Sequence, residues 1–357
     1  MKILYLVDKP NLYGSERHLL DIIDSFQGYH DVELIAFSEG PMLSKLKGIN
    51  VKVFNLSWMF NFILFYKFFA YVKEVSPDIV HCHQPKAVLF GGIIGRILKI
   101  PTIITVHSRA YDHAVIHRNV IRRTFVYVFH KLISLVSIML ASKVIYVNEE
   151  MYNRSASKKK AVYISNWLSK TFFLGEKKVL DEDKVLKFIS VGSVTKAKGY
   201  DILLEFFYYL DKNEIPYTSI VYGGIDENFF SCLKSRRGFS NKIKFLGYRD
   251  LPASSFREAD FYVLFSRSET FGLSYLEAMS QGLPIVSLDL CELKKLIPEG
   301  NVLEKDARDA FFSFFRFLNS NSYSEISKKN IDHAKNYSCK VKMKELENIY
   351  LEIFRNE

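Results

Sequence analysis

One pattern runs through this chain twice. Short runs rich in Ile, Leu and Val alternate with longer stretches whose apolar residues recur at helical spacing. In the first half the runs are 2–7, 32–37, 79–83, 103–107 and 143–148, with amphipathic stretches such as 16–26, 59–75 and 119–140 between them. A short apolar run buried on both faces marks a strand of a parallel sheet, and parallel pairing needs a crossover, usually a helix, between successive strands. The pattern restarts after about residue 165, with runs at 185–191, 218–222, 242–246, 261–265 and 284–288 and helical stretches at 199–211, 274–281 and 306–318. A polar, charged stretch, 173–183, separates the halves. The expectation is an α/β chain of two doubly wound domains, 1–168 and 169–338. Residues 339–357 form a closing helix, with Met343, Leu346, Ile349, Tyr350 and Phe354 at helical spacing. The length of 357 residues fits two domains of roughly 150 each.

Charge is unevenly placed. Residues 1–170 hold 22 Lys and Arg against 12 Asp and Glu, whereas residues 171–357 hold 27 of each, so the whole net charge of +10 lies in the first half. The first domain is therefore expected to face something anionic, solubility alone being the other reading. The four cysteines show no C-x-x-C spacing, which argues against a disulfide framework or structural zinc site and points to a reducing compartment. Neither a P-loop nor G-x-G-x-x-G occurs, which argues against an ATPase or dehydrogenase. Nucleic acid is not expected as a partner, because no helix-turn-helix, zinc-finger or RNA-motif spacing is present. Met1 and Lys2 lead at once into an apolar run too short for a signal core. The 14 uncharged residues 53–66, and the stretch 124–147 with its Lys131 and Lys143, fall short of the ~20 apolar residues of a membrane span. Trp58, Phe60, Phe62, Phe65, Tyr66, Phe68, Phe69 and Tyr71 crowd one segment, and Arg118, Arg122, Arg123 and Lys131 follow. Aromatic and basic residues together fit peripheral docking on an anionic membrane. Core packing of the same aromatics fits equally, and the sequence leaves both open.

The segment 266–279 is the most informative. It follows a strand and opens a helix, and Gly272 at the turn leaves backbone N–H groups open to an anion. Glu269 and Glu277 stand eight residues apart. On one helix that is about 12 Å of rise and roughly 80° of rotation, too far for a close acid–base pair. The spacing suits two contacts along an extended, hydroxyl-rich ligand. His81 and His83 point to the same side of a strand, but no third metal ligand is evident, so no metal is expected.

These residues resemble the retaining glycosyltransferases of family 4. Glu269-Thr-Phe-Gly-Leu-Ser-Tyr-Leu-Glu277 resembles the family's E-x7-E element. Tyr13-Gly14-Ser15-Glu16-Arg17, Pro77 to His83, Thr105-Val106-His107, Val191 to Gly199, Lys244 to Tyr248 and Gln281 to Val286 resemble its other motifs, so the likeness spans nearly the whole chain. It implies the GT-B architecture: two facing Rossmann-like domains with a cleft between them, and a C-terminal helix crossing back to the first. It implies transfer of a sugar from a nucleotide diphosphate donor to a lipid-linked or growing surface glycan, with no cofactor or metal, in the cytoplasm and peripheral to the inner face of the plasma membrane. By position, Glu277 would accept from the ribose hydroxyls and Glu269 would contact the transferred sugar. Backbone amides near Phe271, Gly272 and Leu273 would hold sugar or diphosphate, and Lys198 would neutralise the diphosphate. Gly14 would let the first loop approach the phosphates, His107 would sit beside the sugar, and Tyr248 would lie near the base. Ser193 stands where the family has Arg, with Arg267 or Lys196 as replacement cations. Two other readings use the same residues: a nucleotide-sugar epimerase of this architecture, and an inactive glycan-binding or membrane-scaffolding relative.

Overall fold

A computed structural model describes residues 1–12, 14–55, 62–107, 120–155, 157–170, 172, 174–176, 178–181, 185–249 and 251–355. Tyr13, Trp58, Phe60 and Arg118, singled out above, lie outside the described residues. The chain divides into two compact units, Met1–Ser169 with Cys339–Glu357, and Lys170–Ser338.

The first unit holds seven parallel strands in the order β3-β2-β1-β4-β5-β6-β7. They are β1 Lys2–Val7, β2 Asp31–Ala36, β3 Asn50–Val53, β4 Ile79–His83, β5 Thr102–Val106, β6 Lys143–Tyr146 and β7 Ala161–Tyr163. Its helices are α1 Gly14–Phe26, α2 Phe62–Val75, α3 Pro85–Leu98, α4 Val120–Leu140, α5 Glu149–Asn153 and the C-terminal helix Cys339–Arg355. Side chains alternate across a strand, and β1 divides its residues accordingly. Ile3, Tyr5 and Val7 join a core with Leu19 and Ile22 of α1 and Leu346 and Tyr350 of the C-terminal helix. Leu4 and Leu6 join the opposite core with Phe68 of α2 and Phe90 and Ile94 of α3. The aromatic segment is therefore split: Phe68 is buried, while Phe62 and Tyr66 are 80% and 69% exposed. The core-packing reading holds for the face of α2 that carries Phe68 and Val72.

The second unit holds six parallel strands in the order β10-β9-β8-β11-β12-β13. They are β8 Leu186–Val191, β9 Tyr217–Tyr222, β10 Ile243–Phe245, β11 Phe261–Leu264, β12 Ile285–Leu288 and β13 Val302–Glu304. The helices are α6 Tyr200–Lys212, α7 Glu227–Leu233, α8 Ala253–Arg257, α9 Leu273–Ser280, α10 Cys291–Leu296, α11 Ala307–Leu318 and α12 Tyr323–Ala334. Much of the chain's Phe content fills this unit: Phe188, Phe206, Phe261 and Phe314 contact one another edge-on, tilted or stacked. Both units are the parallel-sheet, Rossmann-like type expected.

The sequence pattern misses β3, β7 and β13, strands of three or four residues at sheet edges where few side chains are fully buried. It also misses α3, whose Gly91, Gly92 and Gly95 read against a helix. They are needed for close approach: a Cβ at Gly91 would lie 2.2 Å from Cys82 Sγ, and one at Gly95 1.9 Å from Thr102 Oγ1.

Candidate active site

In an open parallel sheet the ligand crevice forms at the carboxyl ends of the strands where the strand order reverses. In the second unit that reversal lies between β8 and β11, and the loops after these strands carry Ser193, Lys198, Arg267, Glu269 and Gly272. Lys198 Nζ donates to Glu269 Oε1 at 2.7 Å, and Ser266 Oγ donates to the same oxygen at 2.7 Å. Glu269 is buried, and Oε2 has no partner among the described residues. The carboxylate is thus neutralised on one side and available to a hydroxyl donor on the other. Ser266 was not singled out from the sequence, although its place three residues before Glu269 suits such a bond.

Glu269 and Glu277 do not share a helix. Gly272 caps α9 at φ +90°, so Glu269 lies in the loop before it and only Glu277 is helical. Phe271 is buried against Tyr337, and Leu273 is the first residue of α9. Tyr248, half exposed, follows β10 beyond Gly247. Backbone bonds tie the loops after β8, β9 and β10 together: Gly192 N–H to Tyr222 O, Val194 N–H to Gly224 O, and Gly223 N–H to Gly247 O.

Arg267, one of the two candidate replacement cations, is paired with a carboxylate. Its Nη1 and Nη2 donate to Asp201 Oδ1 and Oδ2 at 2.7 and 2.8 Å, so it is held as a carboxylate fork and does not stand free beside Ser193. Lys196 is exposed and contributes its carbonyl oxygen to the same guanidinium.

In the first unit the strand order reverses between β1 and β4. A cavity of about 740 Å³ opens there, lined by Asp8, Lys9, Glu16, Gln84, Lys86 and His107 on one side and by Phe129, Ile133 and Ser137 of α4 on the other. Gln84, just before α3, holds its mouth together. Its Oε1 accepts from the Asp8 and Lys9 N–H groups, and its Nε2 donates to Glu16 Oε1. Gln84 has φ 71° and ψ 152°, a region otherwise nearly reserved for glycine. Sequence gave no sign of this role. Gly14 is the first residue of α1, next to the cavity residues Ser15 and Glu16.

His107 lines the cavity within a group of rings. His83 Nδ1 and His107 Nε2 are 3.1 Å apart, and His18 meets His107 edge-on at 4.9 Å. Both nitrogens of His81 are taken, by Tyr350 Oη at 2.6 Å and Thr105 Oγ1 at 2.7 Å. Burial holds His107 down to about 4 and, with a smaller push from His107, His81 to about 3. Burial and the neighbouring rings likewise keep His18 and His83 well below the ordinary histidine value. These shifts keep the imidazoles neutral at pH 7, so His107 presents to the cavity a hydrogen-bonding group and not a cation.

The expectation that no segment approaches a membrane span needs correction. Helix α4 has 21 residues and a mean hydropathy of 1.4, long and apolar enough to cross by length and composition, and 11% of that stretch is buried. Lys143, counted against it in sequence, belongs to β6. The helix is nevertheless the crossover between β5 and β6, with Ile133 and Ser137 buried.

Residues 175–312 match the family profile described as glycosyl transferases group 1, and residues 13–167 match that of Glycosyltransferase Family 4. The chain is a glycosyltransferase of the GT-B type, each half matching a glycosyltransferase family model. This glycosyltransferase is 23% identical over 309 residues to the O-antigen biosynthesis glycosyltransferase WclY of Escherichia coli, covering 81% of this chain and 80% of WclY. It is 22% identical over 390 residues to the UDP-Gal:alpha-D-GlcNAc-diphosphoundecaprenol alpha-1,3-galactosyltransferase of Escherichia coli, covering 100% and 98% of the two chains. Among solved structures, Anabaena HepE in complex with UDP and glucose matches with a TM-score of 0.80 at 18% identity, over 99% of this chain and 100% of HepE. The family favours sugar transfer over the epimerase and scaffold readings.

Proposed function

We propose that this glycosyltransferase moves a sugar, with retention, from a UDP-sugar to a lipid-linked glycan of surface polysaccharide assembly at the cytoplasmic face of a membrane. The observation that carries the donor side is the Lys198–Glu269–Ser266 arrangement at the strand reversal of the second unit. Lys198 stabilises charge that grows on the departing diphosphate, Glu269 Oε2 accepts from a sugar hydroxyl, and Glu277 accepts from the ribose. Glycine geometry at Gly272 opens the start of α9 to the sugar or diphosphate. A carboxylate already paired with Lys198 and Ser266 is a poor nucleophile, which favours same-face displacement. The C1–O bond breaks with its electron pair going to the phosphate oxygen. The acceptor oxygen bonds to C1 from that face, and its proton passes to the leaving phosphate. No metal or cofactor is assigned.

The first unit's cavity offers the Asp8 and Glu16 carboxylates to the hydroxyls of an acceptor sugar. Beside it, α4 presents Ile121, Phe125 and Met139 at 82%, 69% and 77% exposure, with Arg122, Arg123 and Lys131 on the same helix. An exposed apolar flank on a helix that also carries basic residues fits the interface of an anionic membrane. The names of the two relatives, one of O-antigen biosynthesis and one acting on a diphosphoundecaprenol acceptor, support the same reading. The test is proton NMR of the product formed from a UDP-α-sugar: an α-linked product is expected, and a β-linked one overturns retention.

A further inference from the structure

Arg267 stands three residues beyond the end of β11 and two before Glu269. Its bonds all reach the segment that carries Lys198. The backbone N–H donates to Ala197 O at 2.9 Å, Nη1 donates to Lys196 O at 2.6 Å, and the two terminal nitrogens grip both oxygens of Asp201 at 2.7 and 2.8 Å. Two anchor points precede Lys198 and one follows it. Between them Gly199, at φ +66°, presses so close to the strand end that a Cβ would lie 1.8 Å from Phe265 O. Asp201 is buried in the first turn of α6. Burial pushes its carboxyl up, but the Arg267 fork, its own backbone N–H and the charge of Arg236 together more than reverse this, so the group sits below its ordinary value and stays charged.

We infer that Arg267 is a positioning residue, acting with Asp201 as a clamp that fixes the Lys198 loop against the Glu269 loop, and is not a ligand of the donor diphosphate. A planar fork meeting both carboxylate oxygens fixes direction as well as distance, which a lysine at the same place cannot reproduce. The consequence for the reaction is that Lys198 approaches the leaving diphosphate without help from Arg267. The inference rests on the donor-site reading above, but its own geometry can be tested apart from it.

The experiment compares Arg267→Gln, Asp201→Asn, the double variant and Arg267→Lys in the full-length protein. Clamping makes Arg267 and Asp201 one unit. Each single substitution should lower kcat by about ten- to a hundredfold, the scale on which a displacement of about 1 Å acts. The double variant should be no worse than either single, and Arg267→Lys should resemble Arg267→Gln. UDP affinity, measured by calorimetry, should change together in the Arg267 and Asp201 variants. If Arg267 instead bound the diphosphate, Asp201→Asn would release it and leave UDP affinity unchanged or tighter, and Arg267→Lys would keep most of it. Either result overturns the clamp. Amide hydrogen exchange across residues 196–201 supplies a readout independent of turnover and should speed up alike in Arg267→Gln and Asp201→Asn. Unchanged exchange overturns the clamp whatever the activity. Wild-type protein that neither binds UDP nor turns over a nucleotide sugar would overturn the donor-site reading instead, with the exchange result still deciding the clamp.

Discussion

Glu269 Oε1 takes two donors, so the loss of either reshapes a buried carboxylate. Lys198→Ala removes a cation that is also the only ionic partner of Glu269 among the described residues. Loss of one preorganised electrostatic group typically costs about 100-fold or more in kcat, and that is the expected fall. Ser193 stands where the resemblance implies an Arg, and Arg267 is paired with Asp201. Ser193→Arg should therefore tighten UDP binding in calorimetry; weaker binding would mean that another cation already fills the place. Glu277→Ala should weaken UDP roughly 10- to 150-fold through a lost charged hydrogen bond, and unchanged affinity would remove its ribose role. The motif residues were legible because family motifs are local. Asp201 and Gln84 were not, because their partners are 66 and 68 residues away in sequence and only the fold brings them together.

Elements with long apolar runs could be read from sequence because burial on both faces leaves little choice of residue. Helix α3 could not, since its glycines reflect a close approach to the sheet. Gly95→Ala should destabilise the first unit by about 1–3 kcal/mol in urea unfolding, the usual cost of overpacking, because the new methyl meets Thr102 Oγ1 and Ile100 O. A substitution with no effect on the midpoint would mean that α3 can move away without cost. Helix α4 was placed correctly in sequence, but its exposed side could not be read from hydropathy alone. Arg122→Gln with Arg123→Gln should weaken sedimentation with anionic liposomes by about 2 kcal/mol, or roughly thirtyfold. Equal sedimentation of the double variant would show that these cations do not face lipid.

At the scale of the whole molecule, four histidines from α1, β4 and the end of β5 meet in one group, backed by Tyr350 of the C-terminal helix and by Trp167 against His18. Sequence showed His81-x-His83 and His107 but not their convergence with His18, which only the sheet order brings about. Their folded-state pKa values lie below the unfolded value, so the unfolded chain binds more protons between pH 6.5 and about 4. Stability therefore falls as pH drops through that window. Each buried histidine that must remain neutral contributes a slope of up to about 1.4 kcal/mol per pH unit. Urea midpoints should fall steeply from pH 7 to 5, and His81→Asn should flatten the fall. A midpoint independent of pH would contradict the buried neutral cluster.

The proposed activation of a nucleotide sugar rests on Lys198 and Glu269 of the second unit. It is tested most directly by measuring nucleoside diphosphate release from a panel of UDP-, GDP-, ADP- and CMP-sugars, with wild type and Lys198→Ala side by side. Wild type is expected to turn over a UDP-sugar, and the variant to show a kcat about 100-fold lower or worse. Equal rates in the two proteins would contradict it.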